Sequence, residues 1–267
     1  MPKREPKYSQ KSSEPDRYWL RKSDFEKFGA DVIGLTEITK NKKTFDGLAV
    51  ILDLKGFTIF CDQRDPQLQV PRFLGLFIRW LFQRIRAELF DRNDGDEVVL
   101  WSHLPIFGKF LGDGVLLIWD VGDVSLEARR NIVKAFDTIV SDYVDMFLEQ
   151  NAAGFTRPPL RLRCGVALGQ ITSIADGNDY VGMCINVASR LQKLADDAFS
   201  FGFTRNGLEE DEEDTWYRHF TLIKIPIRGL SNPEFVYVFR SEFNKLSREE
   251  QRKLSPRKQS LMGRKVR

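Results

Sequence analysis

Hydrophobic positions along this chain fall into two patterns, short unbroken runs and sets at helical spacing, and their order predicts a fold. Leu48–Leu54 (LAVILDL) is an apolar run with one carboxylate near its end, as expected of a central strand buried on both faces. Lys55-Gly56 breaks it. Over Pro71–Phe90 the residues Phe73, Leu74, Phe77, Leu81, Ile85 and Leu89 recur at helical spacing, with Arg79, Gln83, Arg84 and Arg86 between them. That predicts an amphipathic helix. Two short runs, Ile106–Leu111 and Val115–Trp119, meet at Gly112-Asp113-Gly114, and an Asp-Gly placed so predicts a hairpin. A second long helix is expected over Ser125–Glu149 and a strand over Leu160–Leu168. Asp179–Gly182 precedes a third helix, Cys184–Leu194, and further strands are expected over Ala198–Thr204, Phe220–Ile227 and Glu234–Arg240. Near the N-terminus a helix is expected over Asp16–Gly29, with Tyr18, Trp19, Phe25 and Phe28 free to pack. Asn41–Asp46, Asp91–Asp96 and the acidic run Glu209–Asp214 read as loops.

The order β α β β α β α β β β, with a hairpin at its centre, predicts an α/β (α+β) sandwich: a mostly antiparallel sheet with helices packed on it. It divides the chain into an N-terminal tail and helix (1–46), a body (47–240) and a basic C-terminal tail (241–267).

Composition narrows the classes. At 267 residues and 42% hydrophobic, the chain suits one sizeable domain with tails. Its apolar runs fall well short of the roughly 20 residues a bilayer-spanning helix needs, so no integral membrane segment is expected. The polar N-terminus has no apolar core, which argues against a secretory signal. Cys61, Cys164 and Cys184 are odd in number and widely spaced, offering neither a disulfide framework nor a zinc pattern. They read as buried small hydrophobes in a reducing compartment, and a cytoplasmic setting is expected. With His103 and His219 the only histidines, a His-based zinc site or triad hydrolase is disfavoured. The net charge of +3 is uneven: residues 1–22 carry +4 and residues 241–267 carry +6, so residues 23–240 carry −7. An acidic body with basic tails is not a nucleic-acid-binding footprint, and no nucleic-acid partner is expected.

Two carboxylates fall where they cost stability unless used. Asp53 ends an apolar strand and Asp113 sits at a hairpin tip. If the strands are neighbours, both project from one sheet edge, as hard oxygen ligands suited to Mg²⁺ or Mn²⁺. Each alone has a plainer reading, Asp113 as turn chemistry and Asp53 as a cap or loop residue. Asn186 and Arg190 lie one helical turn apart. Alone, they would read as a helix cap and an ion-pair partner of Asp196 or Asp197.

Four strings, in order over roughly residues 48–240, shift these readings. They are LDLKGFT (Leu52–Thr58), KFLGDG (Lys109–Gly114), INVASRL (Ile185–Leu191), and PIRGL (Pro226–Leu230) followed by EFVYVF. Together they resemble the signatures of the class III nucleotidyl (adenylyl/guanylyl) cyclase catalytic domain. The resemblance implies a ferredoxin-like class III cyclase sandwich over residues 47–240. It implies an enzyme, a phosphorus-oxygen lyase that closes a nucleoside triphosphate into a 3′,5′-cyclic nucleotide and pyrophosphate. Asp53, Asp113 and the Leu54 carbonyl would hold two Mg²⁺ or Mn²⁺ ions. Gly56 and Phe57 would offer N–H groups to phosphate oxygens, and Arg228 would bind the terminal phosphates. Asn186 would orient the ribose, and Arg190 would stabilise charge on the transferring phosphoryl group. Because family sites form across subunits, the resemblance implies a homodimer with two equivalent sites. The lack of a GG(D/E)EF-type hairpin speaks against a diguanylate-cyclase relative.

Lys109 and Asp179 stand at the family's base-contacting positions. A Lys donor and an Asp acceptor fit the adenylyl pattern, whereas the guanylyl pattern has Glu and Cys. The stretch from Gly169 to Asp179 is shorter than the family's Gly-rich arm, and no sensor or receptor segment is recognisable. In that bareness, and in the run DYVGMCINVASRLQKL (Asp179–Leu194), the chain resembles the stand-alone pyrimidine cyclases of bacterial antiphage (Pycsar) systems. The expected activity is that of a pyrimidine (uridylate/cytidylate) cyclase of antiphage defence. An adenylate cyclase making cyclic AMP from ATP and an inactive nucleotide-binding regulatory module remain open alternatives.

Overall fold

The computed structural model describes residues 8–29, 43–63, 65–174, 179–194, 198–209, 214–227 and 231–256. Strand β1 (Ser9–Lys11) pairs antiparallel with β2 (Glu14–Arg21), and a short helix α1 (Lys22–Glu26) follows. The stretch Asp16–Gly29, expected to be one helix, is a strand as far as Arg21 and a helix only over Lys22–Glu26. Tyr18, Trp19 and Leu20 are buried in succession, so both faces of β2 are covered, and aromatic residues suit that setting.

Strand β3 (Thr44–Lys55) contains the LAVILDL run and is longer than expected, taking in Thr44–Asp46 from the predicted loop. Gly56, at φ +90°, ends it in a left-handed conformation that glycine adopts without steric cost. Helices α2 (Phe57–Cys61) and α3 (Pro66–Leu89) follow, the latter burying Phe73, Phe77, Leu81, Ile85 and Leu89 as its spacing predicts. Next, Asp91–Asp96 departs from its reading as a loop. It lies in a hairpin of β4 (Phe90–Asp94) and β5 (Glu97–Leu100), turned at Gly95 with φ +61°. Its charges have partners, which is why a polar run can be a strand here. Asp91 accepts from Arg17 at 2.8 Å, and Asp94 accepts from Trp19 Nε1 at 2.6 Å and pairs with Lys11. β2 pairs with β5, giving a small sheet in the order β1-β2-β5-β4. Tyr18, Leu20, Val98 and Leu100 from this sheet join the core beneath α3.

The main sheet continues with the hairpin β6 (Phe107–Phe110) and β7 (Gly114–Asp120). Helix α4 (Leu126–Asp142) is capped by Ser125, whose hydroxyl accepts from the Ala128 N–H at 3.1 Å. It runs through a π-helical turn at Tyr143–Leu148 into α5 (Glu149–Asn151), so the long helix expected over Ser125–Glu149 forms with one widened turn. Then come β8 (Arg161–Ile174), β9 (Asp179–Gly182), α6 (Met183–Leu191), β10 (Phe201–Thr204), β11 (Phe220–Ile225), β12 (Glu234–Phe239), α7 (Arg240–Phe243) and α8 (Arg248–Leu254). The sheet order is β11-β12-β10-β8-β3-β7-β6, with β9 folded back on β8. Among its pairs only β10–β8 is parallel. The mostly antiparallel α/β sandwich predicted from the element order is the fold observed.

Alternation along β3 assigns the two faces. Leu48, Val50, Leu52 and Leu54 point into the core beneath α3 and α4. Ala49 and Ile51 point into the second core, where Cys184, Val187, Ala188 and Leu191 of α6 pack. β3 therefore shows no polar alternation, since both its faces are dry. Asp53, two places beyond Ile51, belongs to the α6 face.

Candidate active site

Three central strands bring the site together at one sheet edge. Asp53 of β3 stands opposite Gly114 of β7 and opposite Arg163 of β8. Gly114 is required there, because a Cβ would run into the Leu52 carbonyl oxygen. The Leu54 N–H donates to the Asp113 carbonyl at 2.9 Å, which fixes the hairpin tip against β3. The two carboxylates are close enough that Asp113's charge acts on Asp53. Burial pushes the Asp53 carboxyl up from its ordinary range. The Arg163 hydrogen bond and charge oppose that rise, Asp113 adds to it and Lys193 opposes it. Asp53 is 2% exposed, and the Arg163 guanidinium meets its Oδ2 through Nε at 2.8 Å and through Nη2.

This donor set fits a hard divalent cation: two adjacent carboxylates, one of them stripped of water, beside the backbone of Leu54. Among the described residues no third His, Cys, Asp or Glu completes a cluster with them. Gly56 caps α2 without a side chain, and the Phe57 ring is buried. Cys61, at the far end of α2, is only partly buried, a departure from its reading as a buried residue; Cys164 and Cys184 are buried as expected. Burial raises the Cys61 thiol, and the nearby charge of Asp113 adds to the effect.

Lys109 and Asp179, far apart in sequence, form an ion pair between β6 and β9. Asp179 also accepts the Tyr180 N–H at 3.0 Å. The Tyr180 ring lies 4.7 Å from Phe107 and 6.1 Å from Phe45, centre to centre, and this anchors β9 over the sheet. The β8–β9 hairpin is what draws the pair together.

Asn186 and Arg190 lie on the exposed face of α6, while Cys184, Val187, Ala188 and Leu191 bury the other. The helix can rest on β8 because Gly165 has no side chain; a Cβ there would strike the Ala188 carbonyl oxygen. Asn186 is not a helix cap, since α6 begins at Met183 after an extended Gly182. Asp196 and Asp197, the alternative partners of Arg190, and Arg228 lie outside the described residues.

Arg163 was not singled out from the sequence. In the alternating stretch Arg161-Leu162-Arg163 it reads as an exposed strand cation, and only the register of β8 on β3 sets it against Asp53. No helix among the described residues is long and apolar enough to cross a membrane.

No protein-family model and no curated protein matches the chain. Solved structures do. A guanylyl cyclase, Cya2, superimposes with a TM-score of 0.53 at 14% identity, over 76% of this chain and 94% of that one. The adenylyl cyclase CyaB from P. aeruginosa superimposes with a TM-score of 0.54 at 15% identity, over 74% and 95%. This is the class III cyclase fold. In the sheet β8, β3 and β7 are consecutive strands, and the Asp53–Asp113 edge lies at one end of them.

Proposed function

We propose that the chain is a nucleotidyl cyclase that converts a nucleoside triphosphate to a 3′,5′-cyclic nucleotide and pyrophosphate. The observation that carries this reading is the meeting of Asp53 and Asp113 at one edge of a dry sheet, held by the Leu54–Asp113 backbone bond. The two carboxylates and the Leu54 carbonyl would hold Mg²⁺ or Mn²⁺. When bound, such ions lower the pKa of the ribose 3′-hydroxyl and neutralise triphosphate charge. The 3′-oxygen bonds to the α-phosphorus as the bond to the pyrophosphate oxygen breaks, and the hydroxyl proton is lost to solvent. Gly56 and Phe57 N–H groups and Arg228 hold phosphate oxygens. Arg163, a buried cation, pairs with Asp53 and holds its carboxylate in place. Asn186 and Arg190, exposed on α6, act on the site of a second copy, orienting the ribose and stabilising the transferring phosphoryl group. The catalytic body spans residues 47–240, working in the cytoplasm as a homodimer.

Lys109 and Asp179 read the base edge, one as donor and the other as acceptor. Uracil, cytosine and adenine all present a matching edge. The Lys109–Asp179 pair does not by itself choose among these bases; the likeness of Asp179–Leu194 to the pyrimidine cyclases favours a pyrimidine, and the proposed products are cyclic UMP or cyclic CMP. The resemblance to Pycsar enzymes makes antiphage signalling the proposed setting. The identity of the Lys–Asp pair also supports adenylate cyclase as a second reading. The test is purified chain with Mn²⁺ and equimolar UTP, CTP, ATP and GTP, its products identified by mass spectrometry. A cyclic pyrimidine nucleotide is expected. Cyclic AMP alone would favour the second reading, and no cyclic product from any triphosphate would leave a regulatory module.

A further inference from the structure

Helix α7 begins where the proposed catalytic body ends, yet one of its side chains reaches back toward the helix that carries Asn186 and Arg190. The Glu242 side chain is 15% exposed, and both its carboxylate oxygens are engaged. Oε2 accepts the Ser200 N–H at 2.8 Å, while Oε1 accepts the Ser200 hydroxyl at 2.8 Å and Arg161 Nη2 at 2.6 Å. The Ser200 carbonyl accepts in turn from the Cys164 N–H of β8 at 2.7 Å. One carboxylate therefore joins three segments distant in sequence: the start of β8, the lead-in to β10, and α7. Bonds to an ionised group are stronger than neutral ones, and burial keeps water from replacing them. Helix α7 is itself fixed at both ends. Arg240 Nη2 donates to the Phe220 carbonyl at 2.8 Å, and Phe243 is buried in the second core.

The clamp holds the exit of α6. Leu191, its last residue, and Leu194 lie over Gly202 of β10, where a Cβ would stand 3.2 Å from Leu194 and 3.8 Å from Leu191. Ser200 comes two residues before that contact. Along β8, α6 lies on Gly165 and Gly169, a close but non-directional packing that does not by itself fix the helix along its axis. Hydrogen bonds to Glu242 are directional and give the segment after α6 one position.

We propose that Glu242 is a positioning residue for turnover: from beyond the 47–240 body, it sets where α6 presents Asn186 and Arg190 to the second copy. The inference rests on the cyclase reading and on the shared site. Glu242→Ala should lower kcat about tenfold and change KM by less than about twofold, because the displaced groups act in the transition state. Glu242→Gln, which keeps an acceptor oxygen, should recover part of the loss.

Mixed dimers separate positioning from a general loss of structure. When Asp53→Asn and Arg190→Ala chains are mixed, the one intact site takes Asp53 from the Arg190→Ala chain and α6 from the Asp53→Asn chain. Adding Glu242→Ala to the Asp53→Asn chain should cut the recovered activity about tenfold, whereas adding it to the Arg190→Ala chain should leave it within about twofold. Native mass spectrometry checks that mixed dimers form equally in both cases. Equal losses from either chain, a loss confined to the Arg190→Ala chain, or no loss overturns the proposal and leaves the cyclase reading intact. So does a parent mixture that regains nothing while the wild type is active. A wild type that makes no cyclic product overturns both. If Glu242→Ala weakens folding, Glu242→Gln placed in the same two chains must show the same asymmetry in smaller measure, and equal losses there overturn the proposal.

Discussion

Asp53 and Asp113 are proposed to do the same work from different surroundings, and the difference is measurable. Asparagine at either position should lower kcat by a factor on the order of 10²–10³ in a steady-state cyclase assay. Stability should separate them. Asp53→Asn removes one partner of a buried ion pair, which costs about 3–5 kcal/mol. Asp113→Asn breaks no such pair, and its thermal unfolding should stay close to wild type. Equal melting shifts would mean that the Asp53–Arg163 contact does not hold in solution. Both acids, Lys109 and Asp179 could be picked out in the sequence because each sits in a short string whose neighbours constrain it. Arg163 could not, because its meaning comes from a strand partner more than a hundred positions away.

Among the elements, the strands with two dry faces and the amphipathic helices were legible from periodicity alone. The elements missed were β1, β2, β4, β5, β9, α7 and α8, most of them short and carrying polar residues that conceal their character. Asp91 and Asp94 look like turn residues until Arg17, Lys11 and Trp19 are found beside them. The contact between α6 and β8 offers a direct test of element placement. Gly165→Ala would push a methyl into the Ala188 carbonyl, lifting the helix that bears Asn186 and Arg190. We expect a loss of about 1–3 kcal/mol, read by denaturant unfolding, together with reduced turnover. The small sheet has its own signature in pH. Tyr8 stacks on His103 at 4.2 Å, Tyr18 meets it edge-on at 4.5 Å, and the Tyr8 hydroxyl accepts from the Leu104 N–H at 2.7 Å. Burial pushes the His103 imidazole down to about 4, with Asp120 and Asp123 opposing the shift. A histidine depressed in the fold binds fewer protons there than in the unfolded chain. Stability is therefore full above the ordinary histidine range and falls as pH drops from about 6.5 toward 4. The loss should be on the order of 2 kcal/mol after solvent screening, and His103→Phe should flatten that part of the pH–stability curve.

At the level of the whole molecule, the proposed division of labour between copies predicts complementation. Asp53→Asn and Arg190→Ala chains, each inactive alone, should regain about a quarter of wild-type activity when mixed in equal amounts, since half the dimers formed carry one intact site. No recovery, with mixed dimers demonstrated by native mass spectrometry, would rule out a shared site. The strand order of the small sheet has a further consequence, for synthesis. β2 has β1 close in sequence on one side and β5 on the other, so its second edge must wait for residues near position 100 before its backbone is paired. At translation rates of roughly 5–20 residues per second, that interval lasts about 4–16 s. During it Tyr18-Trp19-Leu20 lacks both β5 and its core. β2 is thus made well before it is fully secured, and Tyr18-Trp19-Leu20 is where a chaperone of nascent chains would bind.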